Sequence, residues 1–384
     1  MQQKTNNWQI KKLGEVCSIQ TGKYDANHAN SNGKYRFYTC AFDYLYCDTN
    51  RFKGQSIILP GNGANVGEVF YYNGDFDAYQ RTYVLNEIKT DAKYLFYHLL
   101  GNWKNRNKDK QFGSATNYIR MANFTDYEIP IPPLETQHAI VSKIEELFSE
   151  LDKGIAELKT AQLQLKTYRQ SVLNSIVNDK NLNSIESVIE KLDQGWSPKC
   201  LNEKSKNFNE WAVIKTSAVQ FGRFNPDENK ILPKNVPPKE QHEILAGDIL
   251  ITRAGPRVRV GVCCLVKKTR RRLINCDKVY RIKVRKEIIL PEFFELILNT
   301  PFYQDEIEVM KSGISDSGLN LTQSKFLKIK IPLPPIEEQH RIVQEIESRL
   351  SVADKMEQSI QESLQKAEAL RQSILKKAFS GELV

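Results

Sequence analysis

A run of ten residues occurs twice in this chain. Ile129-Pro130-Ile131-Pro132-Pro133-Leu134-Glu135-Thr136-Gln137-His138 returns as Ile331-Pro332-Leu333-Pro334-Pro335-Ile336-Glu337-Glu338-Gln339-His340, at a constant offset of 202. The register then holds without a gap: Asp152-Lys153 meets Asp354-Lys355, and Arg169-Gln170-Ser171 meets Arg371-Gln372-Ser373. From Ile129 to Lys153, 14 of 25 positions are identical to their partners. A period of this length is far beyond that of a solenoid repeat, so each unit must be a domain with an attached element. The chain of 384 residues has room for two such units, each with its own core.

Each repeated segment carries helix-start signals. The Pro-Pro pair fits a first turn, where the missing N–H costs nothing. Glu135, and Glu337 with Glu338, add negative charge at the positive end of the helix dipole. Apolar residues then recur at three and four spacing: Ile140, Ile144, Leu147, Leu151, Ile155, Leu158, Ala161, Leu165, Tyr168, Val172 and Ile176 in the first copy. Ile342, Ile346, Leu350, Ala353, Met356, Ile360, Leu364, Ala367, Leu370, Ile374 and Ala378 form the second stripe. A narrow stripe on a polar helix is buried by another such helix, and the economical partner is the other copy. The spacing predicts two helices, each roughly 65 Å long at about 1.5 Å per residue, packed antiparallel. The alternative is two surface helices, each folded onto its own domain.

Charge divides along the same boundaries. Residues 1–128 carry 16 basic and 12 acidic side chains, and residues 181–330 carry 26 and 18. The repeated segments 129–180 and 331–384 are slightly acidic, with 6 against 7 and 7 against 9. Basicity confined to the variable halves predicts that these meet a polyanion while the repeated segments meet protein. No apolar run approaches the roughly eighteen residues of a membrane span, and Met1 to Gln9 is polar, which predicts a cytoplasmic protein. The seven cysteines, Cys17, Cys40, Cys47, Cys200, Cys263, Cys264 and Cys276, lack Cys-x-x-Cys spacing and read as reduced thiols.

Weak internal similarity extends into the variable halves. Gly54-Gln55-Ser56-Ile57-Ile58-Leu59 and Gly247-Asp248-Ile249-Leu250-Ile251-Thr252 both read as short strands entering a loop, Pro60–Gly67 in one half and Arg253–Gly261 in the other. Asn and Arg suit adenine and guanine edges in the major groove, and glycine allows close backbone approach. Asn62, Asn65, Arg253, Arg257 and Arg259 are therefore candidate DNA contacts. Between Arg253 and Lys286 there are 13 basic residues against one acid, Asp277. Part of this run alternates, Val279-Tyr280-Arg281-Ile282-Lys283-Val284-Arg285, predicting a strand with one core face and one outward face. Lys267 to Arg272 reads as a hairpin tip, where Lys268, Arg270, Arg271 and Arg272 would meet phosphate. Lys23 beside Tyr24, and Trp103 to Lys110, are secondary candidates. Gln111 to Tyr118 and Lys311 to Asn320 precede the helices and read as reader loops or linkers.

The chain has no catalytic signature. Gly61-x-Gly63-x-x-x-Gly67 misses the dinucleotide fingerprint, there is no P-loop, and the five histidines lack metal spacing. No cofactor is expected. His138 and His340, in the first helical turns, read as packing or subunit-contact residues.

Variable half, Ile-Pro-x-Pro-Pro-x-Glu-x-Gln-His helix, second variable half and repeated helix together resemble the specificity subunit of Type I restriction-modification systems. Gly-Asp-Ile-Leu-Ile-Thr-Arg from Gly247 and the ending Ala378-Phe379-Ser380-Gly381-Glu382-Leu383 add to the resemblance, which covers the whole chain. Gln-His departs from the commoner Gln-Lys or Gln-Arg. The resemblance implies a mixed α/β (α+β) fold with two similar target recognition domains, at 1–128 and 181–330. Two long helices, within 129–180 and 331–384, would join them as an antiparallel coiled coil with pseudo-twofold repeat. It also implies a non-catalytic subunit that reads a bipartite, asymmetric site in double-stranded DNA. Two methyltransferase subunits would dock on its helices, with motor-endonuclease subunits joining through the complex. A stand-alone bipartite DNA-binding regulator, or an enzyme with unrecognised motifs, remains the alternative on residues alone.

Overall fold

The computed structural model describes residues 8–108, 111–112, 117–178 and 181–384. The chain divides into two compact units, residues 1–159 with 361–384, and residues 160–360. Each contains one variable half, one part of the helix Leu134–Asn174 and one part of the helix Ile336–Phe379.

The two units share one strand order. In the first, a four-stranded sheet runs Ser18–Thr21, Thr82–Asn86, Gln55–Pro60, Phe70–Asn73, antiparallel throughout. In the second, Ile189–Gln194, Val279–Val284, Ile249–Thr252 and Cys263–Leu265 repeat it. Each unit adds a three-stranded sheet whose middle strand is antiparallel to one neighbour and parallel to the other. Tyr35–Tyr38 lies between Leu45–Cys47 and Phe76–Ala78, and Ala212–Ile214 between Asn229–Ile231 and Leu273–Ile274. A two-stranded ribbon leads into each long helix, Gln9–Lys12 with Glu128–Ile131 and Leu182–Ser184 with Lys330–Pro332.

The apolar strands Gln55–Pro60 and Ile249–Thr252 are covered on both faces, which is why they read as continuous hydrophobic runs. Ile57 and Leu59 join a core with Leu95, Leu99 and Trp103 of the helix Ala92–Asn107, while Ile58 faces Phe52, Phe76 and Val84. Ile249 and Ile251 likewise pack with Phe293, Phe294 and Ile297, and Leu250 with Ala212, Val213 and Ile214. Where the first unit has one helix, the second has two, Pro291–Leu298 and Pro301–Met310. Pro301 lacks the N–H that a continuous helix needs, and Thr300 caps the new start at Tyr303.

The long helices run antiparallel inside each unit. In the first, Ile140, Ile144 and Phe148 share a core with Ile374, Leu375 and Ala378, and Asp152 pairs with Arg371. In the second, Val172 and Ile176 share a core with Val343 and Ile346, and Arg169 pairs with Asp354 at 2.7 Å and Glu357 at 2.9 Å. The Asp and the Arg that the sequence repeats at an offset of 202 thus meet crosswise. Helices folded only onto their own variable halves are ruled out, because the end of the second helix is part of the first unit's core. The stripes are wider than this seam: Tyr168, Met356 and Leu370 remain 43%, 55% and 51% exposed.

The motif glutamines join helix to domain. Gln137 is buried, accepts from the Asp91 N–H at 2.9 Å and donates to the Pro132 carbonyl at 2.8 Å. Gln339, also buried, accepts from the Leu290 N–H at 2.8 Å and donates to the carbonyls of Pro334 and Ile288. Asp91 and Leu290 are the N-caps of Ala92–Asn107 and Pro291–Leu298, so each glutamine fastens a long helix to the start of a domain helix. His138 and His340 do not pack: both are exposed, with His138 at 3.5 Å from Asp91, because the buried side of that first turn belongs to the glutamine. All seven cysteines are free. No helix of the described residues is long and apolar enough to cross a membrane.

Replacing Gln339 by Ala strands the Leu290 N–H and the carbonyls it served, and is expected to cost about 2–4 kcal/mol in denaturant unfolding. A loss below about 0.5 kcal/mol would show that the joint is not structural. His98 supplies a second test. Buried against Tyr127 and Phe379, its imidazole is pushed down to about 4 by desolvation. The unfolded chain therefore takes up a proton near pH 6.5 that the folded one refuses. Stability should fall as pH drops from about 6.5 toward 4, by about 2 kcal/mol between pH 7 and 5 for this residue alone. A His98→Gln variant should show a shallower acid limb, and an unchanged limb would remove His98 from the pH response.

Candidate nucleic-acid interface

Both loops that follow the buried apolar strands are laced to the segment that precedes the long helix. In the first unit the Ile119 N–H donates to the Gly61 carbonyl at 2.9 Å and the Gly63 N–H to Asn117 at 2.8 Å, with Asn62 bridged to Tyr118. In the second the Leu321 N–H donates to the Arg253 carbonyl at 2.8 Å, and Ala254 and Gly255 pair with Asn320 and Leu319. A further bridge joins Phe112 to Tyr118 in the first unit and Ser312 to Asn320 in the second. The segments Gln111–Tyr118 and Lys311–Asn320 are thus the partners of the loops rather than linkers, although residues 113–116 lie outside the described ones. Gly61 is required where it stands, since a Cβ would come within 2.1 Å of the Arg81 carbonyl oxygen.

The first unit gathers its expected contacts around the turn Tyr79–Thr82. The Gly61 N–H donates to Arg81, and the Gln80 N–H donates to the carbonyl of Tyr24, next to exposed Lys23. Asn65 spends its amide on the Cys40 carbonyl at 2.9 Å and is half-buried, so it shapes the loop. Asn62 is half-buried on the edge beside Tyr118. Trp103, expected among surface candidates, is fully buried: it lies on the core face of its helix. Asp109 and Lys110 of that stretch lie outside the described residues.

In the second unit the expected contacts fall into two groups attached to different segments. Arg253 donates to the Asp277 carbonyl at 2.8 Å and lies over the Tyr280 ring at 5.7 Å, a supporting role. Arg257 is exposed but pairs with Glu308 and, at 2.9 Å, with Asp316; those two carboxylates hold its guanidinium above the usual range. Arg259 is half-buried on the same loop. The other group, Lys268, Arg270, Arg271 and Arg272, borders an open cavity of about 1020 Å³ with Phe208 and Trp211. Arg270 donates to the Glu210 carbonyl and the Ser205 hydroxyl, and Arg272 to the Asn209 carbonyl. Arg271 and Lys268 are exposed, with Glu243 at 3.4 Å from Arg271.

Two local expectations fail. Lys267 to Arg272 is not a hairpin tip, because Cys263–Leu265 and Leu273–Ile274 belong to different sheets and the segment crosses between them. Arg281 does not face outward. Its strand lies between two others, and the guanidinium is buried against Asp193 at 3.0 Å and the carbonyls of Glu243 and Gln241. Sequence reasoning also passed over Arg120. Its guanidinium sits over Phe112 at 4.5 Å and Tyr118 at 5.2 Å and donates to the Tyr118 hydroxyl at 2.7 Å. A lone arginine carries no pattern, and only the fold brings those rings to it.

Residues 5–161 and 184–366 match the family model described as the Type I restriction modification DNA specificity domain. The chain belongs to that family. As a specificity subunit it serves DNA recognition and is not itself an enzyme. It is 26% identical to the Escherichia coli Type I restriction enzyme EcoDI specificity subunit, over 98% of this chain and 89% of the relative. The EcoEI specificity subunit of Escherichia coli is 40% identical over 47% of this chain, a stretch spanning only 30% of that protein's length. A chain from a structure on complex assembly of the type I R-M system shares the fold, with a TM-score of 0.77 over 98% of both chains at 17% identity. The HsdS subunit of Thermoanaerobacter tengcongensis, also 17% identical, aligns with a TM-score of 0.59 over 98% of this chain and 97% of its own.

The framework and water-facing basic residues of the second unit should separate experimentally. Arg253→Ala is expected to destabilise the fold by about 1–2 kcal/mol through its lost hydrogen bond. Lys268→Ala and Arg271→Ala should leave unfolding unchanged and each lower the slope of log K against log salt for DNA binding by about 0.9. Unchanged slopes would place these two side chains away from phosphate.

Proposed function

We propose that this chain reads a bipartite, asymmetric sequence in double-stranded DNA, one half-site per unit, as the specificity subunit of a Type I restriction-modification complex. The observation that carries the reading is the repeated frame with unlike contents. Strand order, parallel and antiparallel pairings, and the lacing of loop to pre-helix segment are the same in both units. The residues carried on that frame differ, with Asn62, Tyr118 and Arg120 on one and Ala254, Asn320, Arg257 and Arg259 on the other. One fold presenting two sets of side chains suits two different half-sites. The target recognition domains are assigned to 1–128 and 181–330, and Lys23, Asn62, Arg257, Arg259, Lys268 and Arg271 are proposed as contacts. Asn65, Arg253, Arg270 and Arg272 support the loops from behind.

The helices are proposed to dock two methyltransferase subunits. Each unit leaves apolar surface open on its helix pair. Leu165, Tyr168, Val352, Met356 and Ile360 line a groove of about 530 Å³ in the second, and Leu147, Leu151, Leu370 and Ile374 one of about 420 Å³ in the first. Tyr168 and Leu370 occupy the same repeat position, which suits two copies of one partner. Motor-endonuclease subunits would join through that complex.

With S-adenosylmethionine and DNA, this chain alone should methylate nothing, and addition of a methyltransferase subunit should give adenine methylation in both half-sites. Methylation by the chain alone would refute the assignment. Met356→Glu and Leu370→Glu should each reduce the bound partners from two to one by native mass measurement, and retention of two would move the docking surface elsewhere.

A further inference from the structure

On the laced edge of the first unit, one cation is held with unusual care. Arg120 is exposed, yet its backbone N–H donates to the Asn123 side chain at 2.9 Å. The Asn123 amide donates in turn to Asn107 at 2.9 Å, and that of Asn107 to the Trp103 carbonyl at 2.8 Å. Asn107 and Asn123 are buried, and Trp103 is fully enclosed in the core. The base of the side chain is therefore anchored through a polar relay to the helix Ala92–Asn107. Its far end is fixed too, against Phe112 and Tyr118 and hydrogen-bonded to the Tyr118 hydroxyl. A phosphate contact needs only a cation on a flexible stem. Holding a planar fork at both ends lowers the ordering cost of a directional, two-bond contact.

Comparison within the chain sharpens the point. At the same repeat offset the second unit has Thr322 for Arg120 and Asn320 for Tyr118, and Ser312 takes the bridging place of Phe112. The backbone beneath is unchanged, since Ile119 and Leu321 make the same bond to Gly61 and Arg253. The guanidinium and both rings are thus a local addition to a shared frame, placed next to Asn62.

We propose that Arg120 is a specificity-determining residue that reads a guanine of the first half-site through its O6 and N7 acceptors, with Phe112 and Tyr118 as positioning residues. This rests on the recognition role proposed above. The guanidinium fork matches those two acceptors, and an ammonium group does not reproduce that planar geometry.

The test maps methylated adenines in DNA treated with the complex of this chain and a methyltransferase subunit, for the wild type, Arg120→Ala, Arg120→Lys and Tyr118→Phe. One guanine position of the first half-site should relax in Arg120→Ala, losing roughly ten- to a hundredfold discrimination, with the second half-site and spacer kept. Arg120→Lys should relax the same position, whereas a phosphate contact would be rescued by Lys with the motif unchanged. Tyr118→Phe, which retains the ring, should blur that position less. An unaltered motif in both arginine variants, or relaxation at a base other than guanine, overturns the proposal. Retention of the second half-site shows that a variant has folded. A wild-type complex that marks no divided sequence would instead sink the recognition role itself.

Discussion

Two crossed ion pairs, Asp152 with Arg371 and Arg169 with Asp354, set the direction in which the long helices meet. Pairs this exposed add at most about 1 kcal/mol each, so they do not account for the helices' stability. Their effect is discrimination. Because both residues repeat at the same offset, a parallel pairing in register would set Asp152 against Asp354 and Arg169 against Arg371, like against like. The antiparallel pairing converts both repulsions into attractions. The apolar stripe supplies the driving force for association, and the repeated charges select one of the two orientations it would otherwise allow.

Direction matters because each helix is fastened to its domain. Gln137 and Gln339 are buried, hydrogen-bonded at both ends of the amide, and placed at the first helical turn against the N-cap of a domain helix. Neither a shorter side chain nor a carboxylate offers the same donor and acceptor pair at that reach. The orientation of the first turn is thereby passed to the domain's core helix, and from it to the strands and loops. The Pro-Pro pair preceding each glutamine supplies the carbonyl that the amide caps, which explains why proline and glutamine recur together in the two copies.

Much of this was legible in the sequence because it is encoded locally. The helix starts, the stripe and the two buried apolar strands are patterns within a few residues of one another, and the repeated Asp and Arg show once the two copies are aligned. The roles of the basic residues were not legible, because they depend on partners far along the chain. Arg281 meets Asp193 across 88 residues, and Arg270 meets Ser205 across 65. Alternation in Val279–Arg285 suggested an outward face, which Lys283 and Arg285 keep, whereas Arg281 is buried against Asp193 and the carbonyls of Gln241 and Glu243. Charge density overcounted the free cations, since Arg253, Arg270 and Arg281 are spent on backbone carbonyls. Arg120 was missed for the opposite reason: one arginine without neighbours of its kind leaves no trace until the fold places two rings beside it.

The frame that positions the loops is indifferent to what the loops carry. Its bonds run between backbone groups, from Ile119 to Gly61 and from Leu321 to Arg253, and its packing comes from residues on the inner faces of the strands. Gly63 and Gly67, and Gly255 and Gly261, keep the turns open at positive φ. Asn62 in one copy and Ala254 in the other pair with unlike partners, Tyr118 and Asn320, and the ladder forms with either. The second loop is also longer between its glycines, Gly255 to Gly261 against Gly63 to Gly67, and the frame closes around it all the same. A scaffold with this separation lets the side chains of one loop change without disturbing the other, because each loop is tied through backbone bonds to its own pre-helix segment.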